Sequence, residues 1–146
     1  MLQALQLIAM LAAALFAGAA LYINVAEHPS RMAMETRVAA LQWAPSYKRA
    51  TLLQAPLAIL SLVSGTAAWF LGAEVGWLVA ALIIGAVVPF TFVVVMPTNR
   101  KLLDPARDLA SAETRSLLEK WNTLHAIRTA LSLAASFLYV WLLHEA

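Results

Sequence analysis

Four long apolar runs divide the chain, at residues 5–25, 52–71, 75–96 and 124–143. Each is close to the ~20 residues that carry an α-helix across ~30 Å of hydrocarbon. None alternates with period two, so closed-barrel strands are excluded and helices remain. The pattern predicts an all-α protein: an integral membrane four-helix bundle, one domain over residues 1–146. Only Gly72, Ala73 and Glu74 separate the second and third runs, which makes that pair an antiparallel hairpin. The other connections, 26–51 and 97–123, are long enough to hold interfacial helical segments. Residues 30–42 are expected to form one. Asp104-Pro105 reads as an N-cap followed by proline at the first helical position, and predicts a second, amphipathic one running to Lys120. Ala14, Gly18 and Tyr22, spaced i, i+4, i+8, predict a close-packing face on the first helix.

Composition supports lipid as the solvent. Hydrophobic residues make up 62% of the chain and charged ones 12%, against about 25% charged in a soluble domain. The basic pI, about 9.3, comes from loop residues, which suits headgroups and topology better than nucleic acid; no nucleic-acid motif is present. Cysteine is absent, which excludes disulfides, iron–sulfur clusters and thiolate chemistry. The first run has no Lys or Arg before it and exceeds the ~7–15 residues of a signal-peptide core, so it reads as a retained span. Arg31, Arg37, Lys48 and Arg49 lie in the first long loop, and Arg100, Lys101, Arg107, Arg115 and Lys120 in the second. The termini and the short turn carry neither Lys nor Arg. The positive-inside rule then places both long loops in the cytoplasm and both termini outside, in what is expected to be a bacterial inner membrane.

Polar residues converge at one end of the spans. Asn24, Glu27 and His28 end the first, Gln54 begins the second, Asn99 follows the third, and Trp121, His125 and Arg128 begin the fourth. Asn24 with His28, and Trp121 with His125 and Arg128, share helix faces. Facing stripes would bring Glu27, His28, Asn99, His125 and Arg128 into one pocket, with Glu27 as the partner of Arg128 and Pro89 kinking the third helix over it. Each has a plainer reading: His28 as a boundary residue, Trp121 as an interfacial anchor, Arg128 snorkelling to headgroups. A shared location for two histidines, a glutamate and an arginine favours a common cause. Glu27, His28 and His125 are also candidate ligands for a transition metal such as iron or copper, although no H-x-x-x-H or H-E-x-x-H spacing supports it. No G-x-S-x-G elbow points to a serine hydrolase.

The segments Gly18–Pro29 (with Glu27-His28-Pro29), Trp43–Arg49, Pro89-Phe90-Thr91, Pro97-Thr98-Asn99 and Trp121–Arg128 resemble the anthrone oxygenase-like family of small four-span membrane proteins. The resemblance covers nearly the whole chain. It implies a membrane oxidoreductase, a monooxygenase that oxidises an anthrone to an anthraquinone with dioxygen, and it carries over Glu27, His28, Asn99, His125 and Arg128 as the family's polar cluster. It brings no settled cofactor. The resulting expectation is an enzyme for a lipophilic phenolic or quinone-like substrate entering from the bilayer. His125 or His28 would act as base, Arg128 would stabilise the anion and Asn99 would orient it. The alternative is a non-enzymatic membrane protein (a subunit, assembly factor or lipid-binding module) whose polar cluster is structural. A transporter or channel is third, because four helices are few unless a homo-oligomer forms.

Overall fold

The computed structural model describes residues 1–145. Four helices are long and apolar enough to span a membrane: α1 Leu2–Met32, α2 Thr36–Phe70, α3 Val75–Leu102 and α4 Ala112–Glu145. No strand occurs among the described residues, and the chain is an integral membrane four-helix bundle.

The burial pattern is that of a protein dissolved in lipid. Large apolar side chains point outward, with Leu52 at 78% and Phe70 at 75% exposure, while the interior stripe of α1 is mostly alanine: Ala9, Ala12, Ala13, Ala17 and Ala20. Without a hydrophobic drive between helices in lipid, small residues let backbones approach and gain dispersion contacts. Three apolar layers stack along the bundle. One at the end bearing the short turn includes Ala9, Trp77 and Tyr139. The middle one includes Phe16, Ala58 and Ile84. The third, at the end bearing the long connections, includes Trp43, Val95, Leu118 and Trp121.

The close approaches are not where sequence placed them. Ala14, Gly18 and Tyr22 are all exposed, and nothing lies within 4 Å of a side chain built on Gly18. On an alanine-rich helix several faces carry small residues at i, i+4, and the packed one is Ala9–Ala13–Ala17. The glycines that matter lie elsewhere. A Cβ on Gly65 would strike the Tyr139 hydroxyl, and one on Gly76 or Gly85 would meet Leu142 or Leu62 at 2.6–2.8 Å. Gly72, at φ +99°, ends α2. Its N–H bonds Trp69 O and the next N–H bonds Ala68 O, the left-handed helix stop that favours glycine.

The helices run past the apolar segments. Residues 30–42 do not form a separate interfacial helix: α1 continues to Met32, and after a break at 33–35 α2 begins at Thr36 and runs unbroken. Asp104 does not cap a helix either. Its Oδ1 accepts the Ala106 N–H at 2.9 Å in a local turn, and α4 begins after Ser111, whose hydroxyl accepts the Thr114 N–H at 3.2 Å. That is N-cap geometry. Two stretches are wound as π-helix, Ile23–Glu27 and Thr91–Val95. Each lies just before a proline, Pro29 or Pro97. A proline within a helix cannot donate to residue i−4 and crowds its carbonyl. The carbonyls concerned, Val25 and Val93, fall inside the widened turns. At Pro89 the hydrogen bonding instead breaks at Ala86.

Candidate functional site

A polar layer separates the middle apolar layer from the one beside the long connections. It holds Asn24, His28, Gln54, His125, Arg128 and Thr129. His28 is 2% exposed, His125 1% and Arg128 8%. Four of the five sequence-derived residues fall into three groups, of which the first two are linked through Trp121; Asn99 bonds none of them, and one expected pair does not form.

The first group is centred on Glu27. Its partner is Arg31, one turn further along α1, with Nη2 donating to Oε1 at 2.6 Å. Glu27 does not pair with Arg128. The same carboxylate oxygen accepts from the Ser46 hydroxyl and from Gln42 Nε2 at 3.3 Å. Arg31 also donates to Gln42 Oε1 and, through Nη1 at 3.1 Å, to His28 Nδ1. This network joins α1 to α2 across the break at 33–35. Arg115 of α4 secures the same corner by donating to the carbonyl of Met32, at the unsatisfied end of α1, and to that of Met34 in the break beyond it.

The second group is centred on Asn24, which ends one turn of α1 facing α4. Its Nδ2 donates to Asn122 Oδ1 at 2.8 Å and to Asn122 O at 3.2 Å. Its Oδ1 accepts from Thr129 Oγ1 at 2.5 Å and meets His125 Nδ1 at 2.9 Å. The indole of Trp121 lies between the groups, with its ring centroid 4.8 Å from that of His125 and 5.5 Å from that of His28. Trp43 meets Trp121 edge-on at 5.8 Å and stacks on Tyr47 at 5.1 Å.

The third group is Arg128, whose Nη2 donates to Gln54 Oε1 at 2.9 Å. Its guanidinium carbon stands 5.5 Å from the centre of the Phe16 ring, within cation–π range. It forms the polar end of a cavity of about 100 Å³. Phe16, Ala58, Val87, Val88 and Met96 supply apolar walls, and Tyr47 lines it as well. Thr51, Ala55 and Phe92 also line it and are exposed, so its mouth lies on the outer face of the bundle between α2 and α3. A larger open cleft of about 490 Å³ runs along α2 beside Glu27, Ser46 and Arg49.

Several buried polar atoms have no partner among the described residues: His28 Nε2, Trp43 Nε1, Trp121 Nε1, Gln54 Nε2, Arg128 Nε and both amide atoms of Asn99. A buried polar group without a hydrogen bond is costly. Here every one lies in or beside the polar layer, where a ligand or water would satisfy it. Asn99, 0% exposed, shares its helix face with Val95 and Leu102 of the layer holding both tryptophans.

The proposed metal set of Glu27, His28 and His125 does not form. Among the described residues no three His, Cys, Asp or Glu side chains are grouped to hold a metal ion. One carboxylate oxygen of Glu27 is engaged by Arg31, Gln42 and Ser46, both Nδ1 atoms are occupied, and the Trp121 ring contacts both imidazoles. Sequence reasoning also passed over Arg31 as a site residue, counting it only as a topology cation, although Glu27 and Arg31 stand at the i, i+4 spacing of a helical ion pair. Asn24 and Gln54 stand at no local spacing that names their partners across the bundle. Their signal was only their presence at the depth of Arg128.

Residues 43–138 match the family model described as anthrone oxygenase, more than half of the chain. The matched region includes Trp43, Asn99, Trp121, His125 and Arg128, while Asn24, Glu27, His28 and Arg31 precede it. No curated protein and no solved structure matches the chain.

Proposed function

Because the chain belongs to the anthrone oxygenase family, we propose that it is a membrane oxygenase oxidising a lipophilic phenolic or quinone-like substrate with dioxygen. The observation that carries this reading is the cavity between α2 and α3. It opens on the outer face of the bundle, within the apolar spans, and ends on a buried arginine whose Nε has no partner. An apolar molecule bearing one acidic oxygen matches that polarity, with part of its ring system entering the cavity. That part would lie among Phe16, Val87, Val88 and Met96, and its oxygen would face the guanidinium.

Arg128 stabilises the phenolate or enolate form through charge-assisted hydrogen bonds that strengthen as the charge develops. Gln54 holds the guanidinium in place. Neither imidazole lines the cavity; the base in this reading is His125, one turn of α4 before Arg128, and burial keeps water from competing for the anion. The overall conversion balances without an external reductant: a CH2 group and dioxygen give a carbonyl and water. The carbon loses two C–H bonds and gains one oxygen atom, and the other oxygen leaves as water. The residues present do not assemble a metal site from Glu27, His28 and His125, so no step is assigned to one.

The structural alternative is favoured by one observation, the Glu27–Arg31–Gln42–Ser46 network, which ties two helices together. That role suits the Glu27 group. It does not account for the unpartnered atoms of His28, Asn99 and Arg128. The test uses protein in nanodiscs with an anthrone as probe. Quinone formation is followed by absorbance, and labelled dioxygen should deliver one atom to the carbonyl and one to water. Arg128→Leu should lose about a hundredfold or more in turnover, with Arg128→Lys in between. A wild type that consumes no oxygen with any anthrone or hydroquinone, or an Arg128→Leu variant as active as wild type, would overturn the reading.

A further inference from the structure

The two buried histidines flank one indole, yet their partners are of opposite kinds, and this makes them chemically distinct. We infer that α1 holds them in opposite neutral tautomers: His125 keeps a free Nε2 lone pair that accepts a proton, and His28 keeps an Nε2–H that donates to a ligand oxygen. The use of the pair in oxidation rests on the function proposed above; the tautomers do not.

Hydrogen-bond direction fixes both tautomers. Asn24 is oriented by Asn122, whose backbone carbonyl can only accept, so Asn24 Nδ2 faces it at 3.2 Å and Oδ1 faces the other way. An amide oxygen has no proton. The 2.9 Å contact with His125 therefore requires Nδ1 to donate. In the neutral ring Nε2 is then unprotonated, and no described protein group hydrogen-bonds to it. The neighbour of His28 is the reverse. Arginine has five donors and no acceptor, so at 3.1 Å Arg31 Nη1 must donate and His28 Nδ1 must accept. The proton of neutral His28 is thereby placed on Nε2, a buried nitrogen with no well-formed hydrogen bond, although the Leu118 backbone lies near the ring. The partner of a ring nitrogen sets the chemistry of the other one. Asn24 is thus a positioning residue for His125, and Arg31 for His28.

The surroundings of His28 also favour an acceptor ligand. Trp121 touches it, Trp43 touches Trp121, and both indole N–H groups are buried without partners. A small ligand oxygen, from substrate or from water, is the group such donors take. In turnover His125 Nε2 forms the new N–H bond as the substrate C–H or O–H bond breaks, and the electron pair stays on the substrate. His28 loses no proton in that step and only hydrogen-bonds the oxygen.

The direct test is nitrogen-15 NMR of the imidazoles in the full-length protein. There are three histidines, and His28→Gln, His125→Gln and His144→Gln assign them. His125 should show a protonated Nδ1 and His28 a protonated Nε2. Asn24→Asp should preserve the His125 pattern, while Asn24→Leu should reverse it or average it. If Asn24→Leu does not fold, the wild-type spectrum decides alone. The same tautomer on both rings, or an averaged signal from either, overturns the inference whether or not the protein turns over. The expected spectrum with an inactive wild type leaves the tautomers standing and removes the proposed function. In an active protein, His125→Gln should cost about a hundredfold or more. His28→Gln, which restores an N–H donor, should outperform His28→Phe; equal rates for those two would remove the donor role.

Discussion

Deleting the carboxylate of Glu27 probes the arrangement most sharply, because shared membrane depth points to Arg128 as its partner and the structure pairs it with Arg31. Arg31 is 2% exposed and its carboxylate partner 22%, so the arginine is fully desolvated and the glutamate partly so. Removing one member of a buried pair costs about 3–5 kcal/mol when the remaining charge has no alternative. Arg31 keeps Gln42, Ser46 and His28 as neighbours, and water reaches Glu27, so the lower end, about 3 kcal/mol, is expected for Glu27→Ala. The informative quantity is the coupling. Groups in direct contact interact by roughly 0.5–3 kcal/mol in double-mutant cycles, whereas separate ones add to within about 0.5 kcal/mol. Unfolding in mixed micelles of Glu27→Ala, Arg31→Ala and the double variant should give coupling of about 2 kcal/mol. The parallel cycle with Arg128→Ala should be additive, because Arg128 bonds Gln54 instead. Additivity for Glu27 with Arg31, or a larger coupling with Arg128, would refute the partner assignment.

Gly65→Ala should destabilise the bundle by about 1–3 kcal/mol in the same assay, as its Cβ collides with the Tyr139 hydroxyl, while Gly18→Leu should change stability by less than about 0.5 kcal/mol. Gly72→Ala should cost about 1 kcal/mol, because its φ of +99° strains any side chain. Arg115→Ala frees the carbonyls of Met32 and Met34 and should speed proteolysis at residues 33–35 before it lowers global stability. A reporter active only outside the cytoplasm should be active after Ala146 and silent when inserted near Asp108; the reverse pattern would invert the orientation expected from the cations.

Much of the fold was legible because lipid imposes a length and a polarity that hydropathy reads directly. Helix ends were less so. α2 has 35 residues, about 52 Å at 1.5 Å per residue, and its polar first half lies beyond the apolar signal even though the backbone continues unbroken. Gly18 was misplaced because spacing identifies small faces without saying which one a neighbour covers. Within the site, His28 and His125 share a contact with Trp121, whereas Glu27 turns to Arg31, Arg128 to Gln54, and Asn99 bonds none of them. Their partners could not be read, since partner choice depends on helix rotation. The Asn24–His125 and Gln54–Arg128 bonds join residues 101 and 74 positions apart, respectively, and no local rule reaches that far.

The π-wound stretches at Ile23–Glu27 and Thr91–Val95 have a consequence for reading length variation among relatives. A π-bulge behaves as one residue inserted into an otherwise regular α-helix. A relative one residue shorter at either place would still cross the bilayer with the same hydropathy profile. Everything beyond the missing residue would nevertheless turn by about 100°, given 3.6 residues per turn. Beyond the first stretch that would carry His28 and Arg31 off their face of α1 while leaving their identities unchanged; beyond the second it would do the same to Asn99 on α3. A single gap in an alignment at these positions therefore says more about whether a relative retains this polar layer than a conservative substitution within it.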